Sequence, residues 1–279
     1  MEICYNQPEH EYRQAEGQSQ SHLKSILKSP AHYESAKNHS LIPTPAMEMG
    51  TALHCRVLDG EKAFQASYVM RPEGMSLATK EGKDWKKSVG KKKILTTGGK
   101  DDPWNSVQGM TESLRKLDWF SGSDRNYIKH NEVSIYWDWL GVKCKARLDR
   151  VLVDEGIVLD LKTTDSVEHS MFQKKVVGLG YDFQASYYAK AAEAAFGKKF
   201  RFIFVAVERK APYCVAMYEA SPEMMAEGLS KNIGALRTYS TCSSLDLWPA
   251  PEPKLQVLDY PRWYTPFSQK NLQLAEVPF

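Results

Sequence analysis

The chain has 279 residues, of which 42% are hydrophobic and 25% are charged. This composition is close to that of ordinary globular proteins and excludes a disordered, a collagen-like or a membrane-embedded chain. The 37 Lys and Arg residues against 34 Asp and Glu residues leave a net charge of +3, which neither requires nor excludes a polyanionic partner.

No apolar run approaches the ~20 residues that a membrane-spanning helix needs. Residues 1–20 are polar and lack the apolar segment of a signal peptide. We therefore expect a soluble, cytoplasmic protein that does not insert into a membrane. The five cysteines are odd in number, stand far apart and never form a CxxC pair, so we expect free thiols rather than disulfides or a cysteine-built metal site.

The first folded element that the sequence predicts is a short helix. Residues 1–20 are rich in Gln, Glu and His and show no apolar periodicity, so we expect them to form a flexible N-terminal arm. Residues 21–28 then place apolar side chains at the spacing of a helical stripe, with Ser21 as the N-cap and Pro30 as the stop signal. The folded domain is therefore expected to begin near residue 21.

Two longer helices are predicted on either side of a basic insert. In residues 46–59 the apolar positions repeat every three or four residues, and Gly50 and His54 lie one turn apart on the same side. Residues 80–100 carry eight lysines and four glycines, which predicts a basic, mobile loop. Such a loop is either solvated surface or a segment that a phosphate backbone attracts. Residues 102–116 return to helical periodicity and predict an amphipathic helix.

After this helix the apolar period changes to two, which predicts strands. Three consecutive strands are expected as a meander over residues 133–140, 142–153 and 157–163. A helix, two strands and a last helix are then expected over residues 181–195, 200–207, 213–219 and 222–239. Residues 248–279 contain repeated prolines and predict an extended tail.

The order of these elements favours one domain. At ~150 residues per domain the length alone permits one domain or two. All the predicted strands fit into one central sheet, however, with helices before, between and after them. We therefore expect a single α+β (mixed α/β) domain over residues 21–247, with a central mixed sheet flanked by helices.

The most informative feature is a set of charged residues on two adjacent predicted strands. Asp149 is followed eleven residues later by Asp160-Leu-Lys162. A two-residue loop ending at Gly156 would pair Asp149 with Lys162 and Val151 with Asp160, so that two carboxylates and an ammonium group share one face. A three-residue loop would shift the pairing by one position and separate these groups.

Two aspartates beside a lysine suit a Mg²⁺ site for phosphodiester hydrolysis, and Mn²⁺ suits the same oxygen ligands. The carboxylates bind the cation, the cation activates a water molecule, and the lysine orients that water or stabilises the charge that develops. The alternative is a surface hairpin whose Asp and Lys form an exposed ion pair. Spacing alone does not choose between the two.

Four short motifs resemble the PD-(D/E)xK nuclease superfamily. In chain order they are Gly50-Thr-Ala-Leu-His54, Asp149, Asp160-Leu-Lys162 and Gln184-Ala-Ser-Tyr-Tyr188. The second and third resemble the D…(D/E)xK signature of the superfamily, and the first and last resemble the GxxxH and QxxxY elements of its RecB-like branch. Several segments between residues 21 and 239 are similar to the RecE exonucleases, also called exodeoxyribonuclease VIII. The resemblance implies a PD-(D/E)xK nuclease core.

The resemblance also implies roles for the matching residues. The implied metal ligands are the imidazole of His54, the carboxylates of Asp149 and Asp160, and the carbonyl of Leu161. The implied catalytic residues are Asp149, Asp160, Lys162, Gln184 and Tyr188, and the last two would contact DNA or position the lysine. Four weaker candidates are Glu132 as a further acid near the metal, Arg147 as a phosphate ligand or aspartate partner, and Lys24 and Ser29 near the DNA 5′ end.

The function implied by the resemblance is a Mg²⁺-dependent exonuclease that degrades one strand of linear double-stranded DNA from its 5′ end. The remaining 3′ single strand would serve recombination by annealing. The implied partners are a single-strand annealing protein of the RecT type and further copies of the chain in a ring-shaped homo-oligomer. The alternatives are a RecB-like endonuclease, an exonuclease of opposite polarity, a non-catalytic DNA-end-binding protein and a cytosolic metal-binding hydrolase that acts on a substrate other than nucleic acid.

Overall fold

The computed structural model describes residues 1–38, 43–98, 102–121, 129–261 and 264. The chain divides into two units, Met1–Pro249 and Ala250–Phe279. The described residues of the second unit, 250–261 and 264, contain neither helix nor strand. Every element named below belongs to the first unit.

The first unit contains eight strands and ten α-helices within its described residues. In chain order the strands are β1 (Glu2–Cys4), β2 (Tyr68–Met70), β3 (Lys93–Leu95), β4 (Lys129–Trp139), β5 (Val142–Leu152), β6 (Ile157–Thr164), β7 (Arg201–Glu208) and β8 (Val215–Glu219). The helices are α1 (Glu9–Gln14), α2 (Gln20–Ile26), α3 (Pro30–Asn38), α4 (Pro45–His54), α5 (Glu61–Ser67), α6 (Lys80–Ser88), α7 (Pro103–Leu114), α8 (His169–Leu179), α9 (Tyr181–Phe196) and α10 (Pro222–Leu245). A π-helical segment, Cys55–Asp59, continues α4.

A six-stranded mixed sheet forms the centre of this unit, in the order β1-β4-β5-β6-β7-β8. Neighbouring strands are antiparallel except β6 and β7, which are parallel. A parallel pair needs a long crossover, and α8 and α9 supply it. The short strands β2 and β3 form a separate parallel pair. The expected mixed α+β fold with helices flanking a central sheet is confirmed.

Apolar side chains cover both faces of the central sheet. Along β7, Phe202 faces the core that contains α2, α9 and α10, whereas Ile203 faces the core that contains α4, α5 and α7. The same alternation along β6 places Val158 on the first face and Leu159 on the second. Because side chains alternate along a strand, Asp160 continues the face of Val158 and points toward α9.

Residues 1–20 form ordered elements rather than the expected flexible arm. Strand β1 pairs with β4 at the edge of the sheet, and α1 follows it. The backbone of Gln18 then exchanges hydrogen bonds of 2.8 Å with Lys143 and Lys145 of β5. Lys145 is 5% exposed, and its ammonium group donates to the backbone carbonyls of Tyr12, Arg13 and Ala15. Local apolar periodicity does not reveal these contacts, because their partners lie more than a hundred residues away in sequence.

Two further expectations in the N-terminal half are wrong. The helix predicted over residues 21–28 is observed as α2 and is capped by Ser19 rather than by Ser21, and Pro30 begins α3 instead of only ending α2. Proline is well tolerated at a first helical position, where its missing N–H would have no helical partner. The basic segment 80–100, expected as a loop, contains α6 and β3, although residues 99 and 100 lie outside the described residues.

The other predicted elements are confirmed. The helix that contains His54, the helix expected over 102–116, the meander of three strands and the later helix–strand–strand–helix order are all observed. Helices α5 and α8 were not expected. All five cysteines are free thiols, as predicted. Within the described ranges, no helix is both long and apolar enough to span a bilayer.

Candidate metal centre and active site

The hairpin of β5 and β6 determines where the predicted site residues lie. Leu152 pairs with Ile157 across a four-residue turn that ends at Gly156, where φ is 64°. The expected two-residue loop, and with it the pairing of Asp149 with Lys162, is therefore wrong. Because the observed register differs from the expected one by two positions, each residue nevertheless keeps its expected face of the sheet.

Strands β5 and β6 separate soon after this turn. They share three residue pairs, whereas β6 and β7 share eight. Beyond the paired region, Asp149 Oδ2 accepts a hydrogen bond of 2.8 Å from the backbone N–H of Leu161, which replaces a bond between the strands. The separation leaves an opening in the sheet, where a side chain from α4 meets side chains of the strands.

Three side chains converge at this opening. Within the described part of the chain, His54, Glu132 and Asp149 each offer a ring nitrogen or carboxylate oxygen, and these atoms lie within 4.8 Å of one another. His54 Nδ1 is 3.6 Å from Asp149 Oδ1, and His54 Nε2 is 3.0 Å from the carbonyl oxygen of Leu161. A carbonyl only accepts hydrogen bonds, so in the neutral ring Nε2 carries the proton and Nδ1 presents its lone pair to the carboxylates.

Glu132 reaches this cluster through an unusual backbone conformation. Its φ is 49°, in the left-handed region, and regular pairing between β4 and β5 is interrupted at this residue. Arg147 Nε donates to Glu132 Oε2, and Arg147 Nη1 donates to the carbonyl oxygen of Gln7 at 2.7 Å. Burial, reinforced by the negative charge of Asp149, raises the pKa of Glu132 to about 7, although Arg147 opposes the shift.

Asp160 and Lys162 form a buried ion pair beside the cluster. Asp160 is 1% exposed, its Oδ1 accepts a hydrogen bond of 2.9 Å from Gln184 Nε2, and its Oδ2 lies 2.5 Å from Lys162 Nζ. Burial raises the pKa of Asp160 although Lys162 opposes the shift. Burial alone would lower the pKa of Lys162, but the charges of Asp160 and Asp149 outweigh it and raise that pKa. Lys162 is therefore a charged donor at neutral pH.

Two tyrosines of α9 complete the surroundings of the ion pair. Lys162 Nζ lies 5.2 Å from the ring centroid of Tyr181, a distance that suits a cation–π contact. Tyr188 is half-buried, and burial raises its pKa well above the usual range although a hydrogen bond with Gln184 opposes the shift. The phenol therefore stays protonated and can act as a hydrogen-bond donor.

The structure places the remaining candidates differently. Lys24 Nζ donates to the carbonyl oxygen of Leu179 at 2.8 Å, and burial together with the nearby charge of Lys162 lowers its pKa. Lys24 therefore borders the site. Ser29 is buried, and its hydroxyl lies 2.6 Å from His32 Nδ1 at the start of α3, where it serves the local helix.

The predicted ligands are thus divided into two adjacent groups. His54 and Asp149 converge with Glu132, whereas Asp160 is occupied by Lys162 and Gln184, and the Leu161 carbonyl holds the His54 ring. Sequence reasoning missed Gln7, which holds Arg147, and Tyr181, which contacts Lys162. No sequence signal pointed to Gln7. Tyr181 stands three residues before Gln184, so the matched motif could have drawn attention to it.

The converging residues fit a divalent cation. One imidazole nitrogen and two carboxylates form a donor set that suits Mg²⁺ or Mn²⁺, with the oxygens dominating. The Leu161 carbonyl orients the His54 ring in the way that a hydrogen-bond acceptor commonly orients a metal-binding histidine. Asp160 Oδ2 is buried against Lys162, so the ion pair already compensates this carboxylate.

A mixed sheet that opens beside a carboxylate–imidazole cluster, with a D…DxK pair on two neighbouring strands, defines the PD-(D/E)xK nuclease superfamily as the class of this protein. More narrowly, the chain belongs to the family described as "PDDEXK-like domain of unknown function (DUF3799)", whose model matches residues 19–259. Members of the superfamily generally depend on divalent metal ions. No curated protein matches the chain.

A solved structure supports the fold independently. The crystal structure of a "Putative exonuclease" from Eubacterium rectale superimposes with a TM-score of 0.60 at 14% identity, covering 92% of this chain and 96% of that one. At this identity the likeness concerns the fold. The structure of SSO0001 aligns over 47% of this chain and 60% of that one, at 18% identity and with a TM-score of 0.28, which is too low to support any argument.

Proposed function

We propose that the protein is a Mg²⁺-dependent exodeoxyribonuclease that degrades one strand of linear duplex DNA from its 5′ end and leaves a 3′ single strand. The observation that carries the hydrolase part is the convergence of His54, Glu132 and Asp149 beside the charged Lys162. The polarity and the preference for duplex DNA rest on the resemblance to RecE. Superfamily membership and the fold of the Eubacterium rectale protein support a nuclease.

Each group at the site has a chemical task in this proposal. A Mg²⁺ held by His54, Glu132 and Asp149 would lower the pKa of a bound water and neutralise charge on the scissile phosphate. Asp160 keeps Lys162 protonated, so Lys162 acts as a hydrogen-bond donor to a phosphate oxygen or to the attacking water and not as a base. Gln184 fixes the Asp160 carboxylate and thereby the position of the ammonium group.

The test of the proposed activity compares linear duplex DNA with the same DNA as a closed circle, with Mg²⁺ and with a chelator. We expect the linear form to be degraded in Mg²⁺ only, and the circle to survive. Asp149→Asn should remove the activity, whereas Glu155→Gln, an exposed acid in the turn of the same hairpin, should retain it. Equal cutting of circles would support the endonuclease alternative, and end binding without degradation would support the non-catalytic one.

The oligomeric state and the protein partner are also inferred from the resemblance to RecE. We propose a ring-shaped homo-oligomer that encloses DNA and supplies its product to a single-strand annealing protein of the RecT type. Light scattering on the full chain tests the first part, because a ring requires a mass of at least three times 31.7 kDa. A monomer at working concentration would contradict it. Co-purification with an annealing protein of this type tests the second part.

A further inference from the structure

A cavity of about 560 Å³ opens beside Glu132, which belongs to the candidate metal cluster. Its walls come from residues 5–9 of the N-terminal segment, from Leu58 and Asp59 at the end of the π-helical segment, from residues 129–132 at the start of β4, and from Arg147 of β5. The volume lies within the ~300–1,000 Å³ that is usual for small-molecule pockets. Nothing in the chemistry proposed above uses this space.

The cavity presents groups that suit a nucleotide. Tyr5 packs on His130 with ring centroids 4.6 Å apart, yet it remains 45% exposed, so part of the ring is open to a further stacking partner. Lys129 is exposed at the cavity wall and offers a positive charge to a phosphate. A base stacked on an aromatic ring and a phosphate beside a lysine are the usual elements of single-strand recognition.

The wall formed by the N-terminal segment is held firmly in place. The Tyr136 hydroxyl donates to Gln7 Oε1 at 2.8 Å, and Arg147 Nη1 donates to the carbonyl oxygen of Gln7 at 2.7 Å. Glu9 and Asp59 also line the cavity, and their carboxylates repel a phosphate chain. A DNA strand that enters from the metal cluster therefore meets a fixed, partly acidic wall. The cavity has room for one nucleotide at the end of the strand, whereas the further phosphates of a longer strand would be repelled by this wall.

We propose that this cavity binds the terminal nucleotide of the DNA strand being cleaved, with its base on Tyr5 and a phosphate near Lys129. The inference rests on the proposed nuclease function and deepens it, because a pocket that holds one terminal nucleotide beside the metal cluster restricts cleavage to strand ends. The smallest ligand with the same chemistry is a deoxynucleoside 5′-monophosphate. The natural ligand is either a free nucleotide or the terminal nucleotide of a DNA strand, and the two arms of the test below distinguish between them.

The first arm of the test is calorimetric titration of the full chain with deoxyadenosine 5′-monophosphate in the presence of Mg²⁺. We expect binding by the wild type. Tyr5→Ala should weaken it about fivefold or more, because base stacking on an aromatic ring contributes at least this much, whereas Tyr5→Phe should keep the affinity within about twofold. Lys129→Ala should also weaken binding, and Lys143→Ala is its matched control, because Lys143 is an exposed lysine that lines a different cavity.

The second arm uses linear duplexes that carry either a normal or an abasic terminal nucleotide. The wild type should degrade the normal end faster, and Tyr5→Ala should remove the difference between the two ends. No binding of the mononucleotide, or equal weakening by Lys129→Ala and Lys143→Ala, would overturn the assignment of the pocket. Degradation of DNA without either effect would leave the nuclease standing and the pocket refuted. If the chain binds the mononucleotide but degrades no DNA, the pocket would be supported and the proposed nuclease activity would be refuted.

Discussion

Glu132 lies within a strand, yet its φ of 49° is rare for a residue other than glycine, asparagine or aspartate. Such a backbone conformation costs on the order of 1–3 kcal/mol and persists only where the surroundings enforce it. Here Arg147 holds the carboxylate, and Arg147 is itself held by Gln7. The strain directs the Glu132 carboxylate toward His54 and Asp149, where a cation would stabilise it.

A pH dependence follows from the raised pKa of Glu132, which is about 7 against an ordinary 4.5. An acid whose folded-state pKa is raised contributes stability that is fully present below the unfolded pKa and lost as pH rises through the folded value. The metal-free protein should therefore lose on the order of 1–3 kcal/mol between about pH 4.5 and pH 7 through this group.

Glu132→Gln should remove this loss. In chelator, denaturant unfolding should show the variant to be as stable as the wild type at pH 5 and more stable at pH 8. Equal differences at both pH values would contradict the raised pKa. Added Mg²⁺ should stabilise the wild type more at pH 8 than at pH 6, because metal ligands bind in their deprotonated forms.

The cluster also predicts how divalent metal affects individual variants. Mn²⁺ or Mg²⁺ should raise the melting temperature of the wild type, because a ligand that binds only the folded state stabilises it. His54→Ala and Asp149→Asn should each remove most of that rise, and Glu155→Gln should keep it. Differential scanning fluorimetry with and without metal measures the effect. A full metal-induced rise in Asp149→Asn would show that the cation binds elsewhere.

At the scale of elements, the site depends on how α9 packs against α10. Gln184 belongs to α9, and the first turns of this helix are fixed by α10, where Asn232 Nδ2 donates to the carbonyl oxygen of Phe183 at 3.0 Å. The helices approach closely at Gly228, since a Cβ built there would lie 2.1 Å from the backbone oxygen of Asp182. The close contact between α9 and α10 therefore contributes to the packing of the two helices and also determines the position of Gln184.

Two glycines of α10 provide a matched comparison. Gly228→Ala should destabilise the protein by about 2 kcal/mol or more, because the methyl group forces backbone to move. Gly234→Ala should stabilise it by up to about 1 kcal/mol, because no atom lies within 4 Å of a Cβ there and alanine favours a helix. Free energies of unfolding from denaturant titration test the pair. Similar effects of the two substitutions would contradict the close approach of α9 and α10.

At the scale of the whole molecule, the sequence predicts the fold wherever one element shows a clear period. The alternation in β4 and the helical stripe of α7 are examples, because each buries one face against a core. The face shared by Asp149, Asp160 and Lys162 was predictable for the same reason. That prediction is correct even though the register of β5 and β6 differs from the expected one, because a shift of two positions leaves every side chain on the same face of the sheet.

The parts that were missed depend on long-range contacts. Strand β1 has three residues and is defined by its pairing with β4, and the wall near Gln7 is fixed by Tyr136 and Arg147. Neither leaves a periodic signal. Glu132 lies close to His54 because its backbone adopts a left-handed conformation, and the residue types around it do not predict that conformation. Resemblance found the motifs, but only the packed chain shows how they are divided between the metal cluster and the buried ion pair.

The most direct measurement is digestion of a linear duplex labelled separately at its 5′ and 3′ ends, with Mg²⁺, by the wild type and by Asp149→Asn. We predict early release of the 5′ label as a mononucleotide, retention of the 3′ label on a long single strand, and no release by the variant. Release of the 3′ label first, internal cuts, or undiminished release by Asp149→Asn would contradict the account.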